Sequence, residues 1–346
     1  MELLMGNRII NDRSPCFVIA EIGHNHQGSL EICKRMFEAA KSCDVDAVKL
    51  QKRSNRELYT EQFYNSPYNS ENAFGPTYGL HREALELSNA DYYELKQYAK
   101  QLDLIFFATA FDFTSADFLH ELGMPCFKIA SGDLTNTPLL KYVASFGKPM
   151  IISTGAALMA DVERAFEAVI PINNQIALLQ CTAIYPTEPE KLDLNVIGTY
   201  LRKFPKAIIG LSDHYNGIAL PVAAYILGAR ILEKHFTLSH ATKGTDHAFS
   251  IEPTGMRRLV RDLKRTYAAL GDGTKNFYPE EKPARLKMGK KIVAAKKLQA
   301  GHIIGRGDLN FKSPGDGLEP YYAEEFYGKT LKVSLKKDEA ISFEHI

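Results

Sequence analysis

The sequence predicts an α/β fold, a (β/α)8 TIM barrel followed by a small, mostly β domain, and three observations predict it. Eight short β-rich apolar runs alternate with amphipathic stretches of helical period, in a span close to the roughly 250 residues such a barrel needs. The turn after the first run reads AEIGHNHQGS, without the GxGxxG spacing that usually opens a doubly wound sheet. Beyond residue 272 the helical period gives way to short alternating strands broken by turns such as LQAGH, SPGDG and LKKDEA. These shifts divide the chain into a barrel over 1–272, a linker over 273–283 (GTKNFYPEEKP) and a β domain over 284–346.

The elements follow in order. The runs are CFVIAEIG from Cys16, AVKLQK from Ala47, IFFATAF from Ile105 and CFKIAS from Cys126 in the first half. PMIISTG from Pro149, IALLQCT from Ile176, AIIGLSD from Ala207 and RILEKHF from Arg230 complete the set. Helical patterns such as LEICKRMFEAAKSC and DVERAFEAVI stand between them. The one long interruption, 53–88, is rich in Tyr, Asn and Ser and reads as a lid or substrate loop.

Composition excludes several function classes. Lysine plus arginine (42) nearly balances aspartate plus glutamate (41) in 346 residues, so no net field favours nucleic acid or an anionic membrane. An anionic ligand must therefore meet a local site. The start, MELLMGNRIINDRSPCF, lacks the basic head and apolar run of a signal peptide, and no later stretch has spanning length, so a cytoplasmic location is expected. Five cysteines without a CxxC pair argue against both a disulfide framework and a cysteine-rich zinc site.

In a barrel of this kind ligands bind where the strands end, so polar residues closing apolar runs are the functional candidates. His214 and His235 close the seventh and eighth runs, and adjacent parallel strands lie about 4.8 Å apart, a spacing at which two imidazoles can share one ion. Either histidine alone would read as a hydrogen-bonded buried imidazole; the pair points to a metal. The other ends carry Glu21, Lys49 and Gln51, Thr109, Lys128 and Ser131, Ser153, and Thr182. A lysine within CFKIAS is costly to bury unless an anion meets it, and its neighbours Thr109, Ser131, Ser153 and Ser212 are phosphate donors rather than counterions. Two lysines with four hydroxyls predict a small ligand carrying phosphate and carboxylate, beside a two-histidine metal suited to polarising a carbonyl.

A resemblance is carried by FVIAEIGHNHQGS, VKLQ, TYGLHREALELS, FKIASGDLTN, PMIISTG, LQCTAIYP, IIGLSDH, LEKHFT and KGTDHAFSIEP, in this order. Together they resemble the sialic acid (N-acetylneuraminate) synthase family, whose members condense phosphoenolpyruvate with N-acetylmannosamine or a related hexose. The tail resembles the family's antifreeze-like (SAF) domain. The resemblance implies that His214 and His235 hold a divalent metal, Mn²⁺ with Mg²⁺ or Co²⁺ as alternatives, and that Lys49, Thr109, Lys128, Ser131, Ser153 and Ser212 hold phosphoenolpyruvate. It implies that Glu21, Gln51, Tyr185 and Asp246 face the sugar, with Ser313 of the tail standing where many bacterial members place an arginine. It further implies that Glu21 and Asp133 handle water and proton, and that the protein is a domain-swapped homodimer.

A free N-acetylmannosamine-type sugar is the expected acceptor, with its 6-phosphate or a legionaminate- or pseudaminate-type precursor as alternatives; Lys243, Lys287 and Lys290 would meet such a phosphate. The rival class is an amidohydrolase-like metallohydrolase, for which His24 and His26 would form the first ligand pair. That class also needs histidines closing the fifth and sixth runs, where the chain has STG and CTA. His24 and His26 are therefore expected to order their loop.

Overall fold

The computed structural model describes residues 1–346, which divide into two compact units, Met1–Gly271 and Asp272–Ile346. The first is a closed barrel. After a hairpin of β1 (Glu2–Met5) and β2 (Arg8–Asn11), its eight parallel strands are β3 (Phe17–Gly23), β4 (Ala47–Lys52), β5 (Ile105–Ala110), β6 (Phe127–Ile129), β7 (Met150–Ser153), β8 (Ile176–Cys181), β9 (Ile208–Asp213) and β10 (Ile231–His235). They pair in chain order, and β10 closes on β3. All eight expected runs are thus strands, because each is apolar on both faces and is covered by helices outside and by its opposite strands inside.

The hairpin was not anticipated. Its short run, MELLMGNRIIN, turns at Gly6, where φ is +61°. Leu3, Met5 and Ile10 are buried in the barrel's core, Arg8 pairs with Asp46 at 2.8 Å, and Gly6 lies against Ile105. Asp46 and Ile105 lie where β4 and β5 begin, so the hairpin covers the N-terminal end and leaves the C-terminal end for ligands.

The 53–88 stretch is ordered. It forms short helices at Asn55–Leu58, Glu61–Tyr64 and Tyr78–Leu85, gathered around Tyr59, Phe63, Tyr68, Tyr78 and His81. Edge-on and tilted ring contacts of this kind add to the area they bury, and Lys52–Glu86, at 3.0 Å, closes the stretch at its base.

The second unit has its own core, built on Ile292, Leu298, Leu309, Phe326, Leu335 and Ile341. A two-stranded ladder, β11 (Lys291–Ala294) with β12 (Leu309–Lys312), supports it. Residues Lys282–Met288 are helical, where the sequence suggests a linker as far as 283. No helix of the chain is long and apolar enough to cross a membrane.

Candidate active site

The strand ends open on a cavity of about 540 Å³. Lys49 on β4 and Lys128 on β6 form its floor, and both are almost wholly buried. Lys49 Nζ lies 2.6 Å from Glu21 Oε2 and donates to Thr109 Oγ1 at 2.8 Å. Lys128 Nζ lies 3.5 Å from Glu233 Oε1 and donates to the Ile129 carbonyl at 3.1 Å. The expectation that Lys128 lacks a carboxylate counterion is corrected here. β10 turns alternate residues inward, so Glu233 faces the barrel together with His235, and the register sets it beside Ser212 of β9, whose hydroxyl donates to it at 3.1 Å.

Glu21 and Glu233 share Lys49, which also lies 3.7 Å from Glu233 Oε2. Their environments drive them apart. Burial raises Glu21 above the ordinary carboxylate range, and Lys49 does not fully offset it. Burial pushes the same way at Glu233, but Lys128 and Lys49 together outweigh it and bring that carboxyl down to about 2. Of the two, Glu233 is the more readily ionised and Glu21 the one pushed toward its protonated form.

The hydroxyls expected around the lysines are present. Thr109, Ser131, Ser153 and Ser212 all line the cavity, Ser131 Oγ accepts the Gly155 N–H at 2.9 Å, and Ser153 Oγ is buried without a partner. Glu233 Oε2 and His235 Nδ1 are likewise buried and unbonded. Such atoms are rare in a folded interior, and three of them around one cavity mark a place that a polar ligand completes.

His214 and His235 stand with ring centroids 5.4 Å apart. Their surroundings are aromatic: Tyr185 lies 4.1 Å from His214 and Phe249 5.0 Å from His235, centroid to centroid. Burial, reinforced by His235, lowers His214 to about 4, and burial lowers His235 as well, so both rings are neutral near pH 7. The Thr182 carbonyl takes the Nδ1–H of His214 at 2.9 Å, which leaves Nε2 as its free lone pair. His235 Nδ1 is 3.6 Å from Asp246 Oδ2. No trio of His, Cys, Asp and Glu is gathered closely enough to enclose an ion. Two neutral imidazoles with free nitrogens do fit a divalent metal whose remaining positions stay open to water or substrate.

The sugar-side candidates separate. Gln51, Tyr185 and Asp246 line the cavity, and Gln51 Nε2 donates to Glu21 Oε1 at 2.7 Å. Gln51, Glu21 and Asp246 converge over Gly23, whose φ is +54°; a Cβ there would stand 3.3 Å from both Gln51 Nε2 and Glu21 Oε1 and 3.6 Å from Asp246 Oδ2. Asp133 is not brought in. It ends the 3-10 turn Ser131–Asp133, faces Asn136 at 3.4 Å and is absent from the cavity wall. That short turn carries Ser131 and Gly132 to the cavity while directing the third residue elsewhere. Ser313 belongs to the second unit, where it bonds Lys290 Nζ at 2.6 Å.

Sequence reasoning missed Glu233, Arg53 and Arg82 as wall residues. Glu233 was detectable, since it precedes His235 by two in a strand. The arginines lie in the 53–88 stretch, which carries no periodic signal. His24 stands between Arg53 and Arg82, and His26 Nδ1 accepts the Gly28 N–H at 3.1 Å within its own loop.

Residues 36–275 match the NeuB family and residues 291–346 the SAF domain. The chain is 40% identical to the human (Homo sapiens) N-acetylneuraminate-9-phosphate synthase, over 99% of this chain and 95% of that protein. It is 35% identical to the N,N'-diacetyllegionaminic acid synthase of Legionella pneumophila, over 98% of this chain and 99% of that one. Among solved structures, the N-acetylneuraminic acid synthetase of Leptospira borgpetersenii superposes with a TM-score of 0.72 at 31% identity, covering 82% of this chain and 95% of that one.

Proposed function

The chain belongs to the NeuB family, and on that premise we propose that it condenses phosphoenolpyruvate with an N-acylated hexosamine to give a nine-carbon 2-keto-3-deoxy sugar acid and inorganic phosphate. It is an enzyme of the sialic acid synthase type, a transferase that forms a carbon–carbon bond. The observation that supports this reaction best is the juxtaposition, in one cavity, of two buried lysines ringed by hydroxyls and two neutral imidazoles.

In this reading Lys49 and Lys128, with Thr109, Ser131, Ser153 and Ser212, hold the phosphate and carboxylate of phosphoenolpyruvate. The Ser153 hydroxyl, unpartnered in the protein, is ready to donate to that ligand. Gln51, Tyr185 and Asp246 orient the open-chain sugar, so that its C1 aldehyde faces C3 of the enol ester. His214 and His235 would hold a divalent metal, Mn²⁺ first, which when bound supplies a positive charge that polarises the aldehyde oxygen.

Bond formation between C3 and C1 leaves an alkoxide that takes up a proton and a cationic C2 that takes up water. The resulting tetrahedral centre then collapses to the ketone and expels phosphate through C–O cleavage. Glu21, buried and raised, is placed to exchange the proton, while Glu233, held low by the two lysines, balances them and stabilises positive charge at C2. A homodimer and a cytoplasmic location belong to the same proposal; sedimentation of the full chain tests the first.

Replacing either imidazole tests the reading at its centre. His214→Ala or His235→Ala is expected to abolish retention of Mn²⁺ through dialysis, measured by elemental analysis, and nearly all turnover. Full activity of both variants in chelator would remove the metal from the mechanism.

A further inference from the structure

Four basic side chains line the cavity, and the two lysines are matched by Glu21 and Glu233. The other two are not matched. Arg53, one residue beyond β4, is only 8% exposed; it lies flat on Phe111, with its guanidinium carbon 3.7 Å from the ring centre, and donates through Nη2 to Gln51 Oε1 at 2.7 Å. Arg82, on the helix Tyr78–Leu85, donates through Nε and Nη2 to Tyr78 Oη at 3.1 and 2.9 Å. The carboxylates whose charge reaches them are engaged elsewhere: Glu86 with Lys52 at 3.0 Å, Asp246 beside His235, and Asp133, which feels Arg53, with the Asn136 amide at 3.4 Å.

What stands between the two guanidiniums is His24. Arg53 Nη1 lies 2.8 Å from its Nε2 and Arg82 Nη1 lies 3.3 Å from its Nδ1. A neutral imidazole has one acceptor nitrogen and one N–H, so it can accept from only one of them; the other contact sets donor against donor. A protonated ring would be worse, and burial with the two adjacent arginines keeps His24 neutral. The protein itself therefore leaves this pair of cations without an anion and one of their N–H groups without an acceptor. Of the five N–H groups on Arg53, His24 and Gln51 occupy two, which leaves three for a ligand.

We infer that Arg53 and Arg82 form an anion subsite for a phosphomonoester at the end of the sugar remote from its aldehyde, which makes a hexosamine 6-phosphate the acceptor class. This rests on the condensation proposed above. With phosphoenolpyruvate on the lysines and the aldehyde at the imidazoles, a third polar pole remains. It is tied to the sugar side through Arg53–Gln51–Glu21. A paired guanidinium site suits the divalent charge and three oxygens of a phosphomonoester, whereas a sugar hydroxyl would leave both cations uncompensated. Of the lysines singled out from the sequence, Lys243 alone belongs to the barrel unit, and it does not line the cavity. Lys243 is exposed and lies over Phe74, and Lys287 and Lys290 belong to the second unit.

The test compares N-acetylmannosamine with its 6-phosphate at saturating phosphoenolpyruvate, following keto-acid formation by full-length protein and by Arg53→Gln and Arg82→Gln. The wild type should favour the phosphorylated sugar in kcat/KM by roughly a hundredfold or more, and each variant should reduce that ratio at least tenfold, through KM. Arg82 is only partly buried, so its variant reports the same ratio should Arg53→Gln fold poorly. A wild-type ratio near one, or variants that keep the ratio and instead raise the KM for phosphoenolpyruvate, would overturn the assignment. If neither sugar is turned over, the condensation itself fails, and calorimetry with the 6-phosphate decides the subsite separately. Binding weakened tenfold or more in Arg53→Gln upholds it, and equal binding overturns it.

Discussion

Glu233 shows how one side chain sets the chemistry of its neighbours. It serves as counterion to Lys128 and as a second neighbour to Lys49, so it opposes the desolvation that lowers Lys128 and, as a like charge, helps push Glu21 upward. An incoming phosphoenolpyruvate must then compete with Glu233 for Lys128. The net gain from that contact is that of a single charge-assisted hydrogen bond, about 1.5–3 kcal/mol, rather than of an unopposed ion pair. Lys128→Ala should accordingly raise the KM for phosphoenolpyruvate by roughly ten- to hundredfold in steady-state assays. A change confined to the sugar's KM would show that the two ligands have been placed the wrong way round. Most of these residues were legible because each closes an apolar run, which in a barrel means the mouth. Asp133 misled for a related reason. It follows the same run as Lys128 and Ser131, but a 3-10 turn rotates about 120° per residue, so adjacency in sequence does not carry to direction.

At the scale of elements, the barrel depends on close approach between β9 and β10. Gly210 is the residue that permits it: a Cβ there would stand 2.4 Å from the Ile231 carbonyl oxygen and 2.4 Å from Leu179 Cδ2. The first contact is with backbone and cannot swing away. Gly210→Ala should therefore destabilise the barrel by about 1–3 kcal/mol, seen as a lower denaturation midpoint, and by displacing β9 it should weaken activity too. An unchanged midpoint would show that the strands can part without loss. The eight strands were readable because runs apolar on both faces have few other places in a fold. The hairpin at Glu2–Asn11 was not, since two four-residue strands lie below the length at which periodicity is informative. The arginine pair was hidden for a further reason: Arg53 and Arg82 meet through the tertiary packing of the 53–88 aromatic cluster, and no spacing rule links them.

For the whole molecule, buried histidines make stability depend on pH. His26 is 1% exposed and uses Nδ1 as acceptor for the Gly28 N–H, and burial brings it down to about 4. As pH falls through the ordinary histidine range near 6.5, the unfolded chain binds a proton that the folded chain refuses until about 4. The unfolded state thus gains protons first, and stability, complete above that range, is lost on acidification at up to about 1.4 kcal/mol per pH unit. Chemical denaturation at pH 7 and pH 5 should show a smaller acid loss for His26→Gln than for the wild type. Equal losses would mean that His26 already titrates normally in the folded protein.

The central claim concerns which bond breaks when phosphoenolpyruvate meets the sugar. The most direct measurement gives the Mn²⁺-loaded protein phosphoenolpyruvate carrying ¹⁸O in its bridging C–O–P oxygen, together with N-acetylmannosamine or its 6-phosphate, and follows the label by mass spectrometry. Phosphate should appear only when both substrates are present, in equal amount to the keto acid, and should retain the bridging ¹⁸O. Label left in the organic product, or phosphate released without any sugar, would contradict the account.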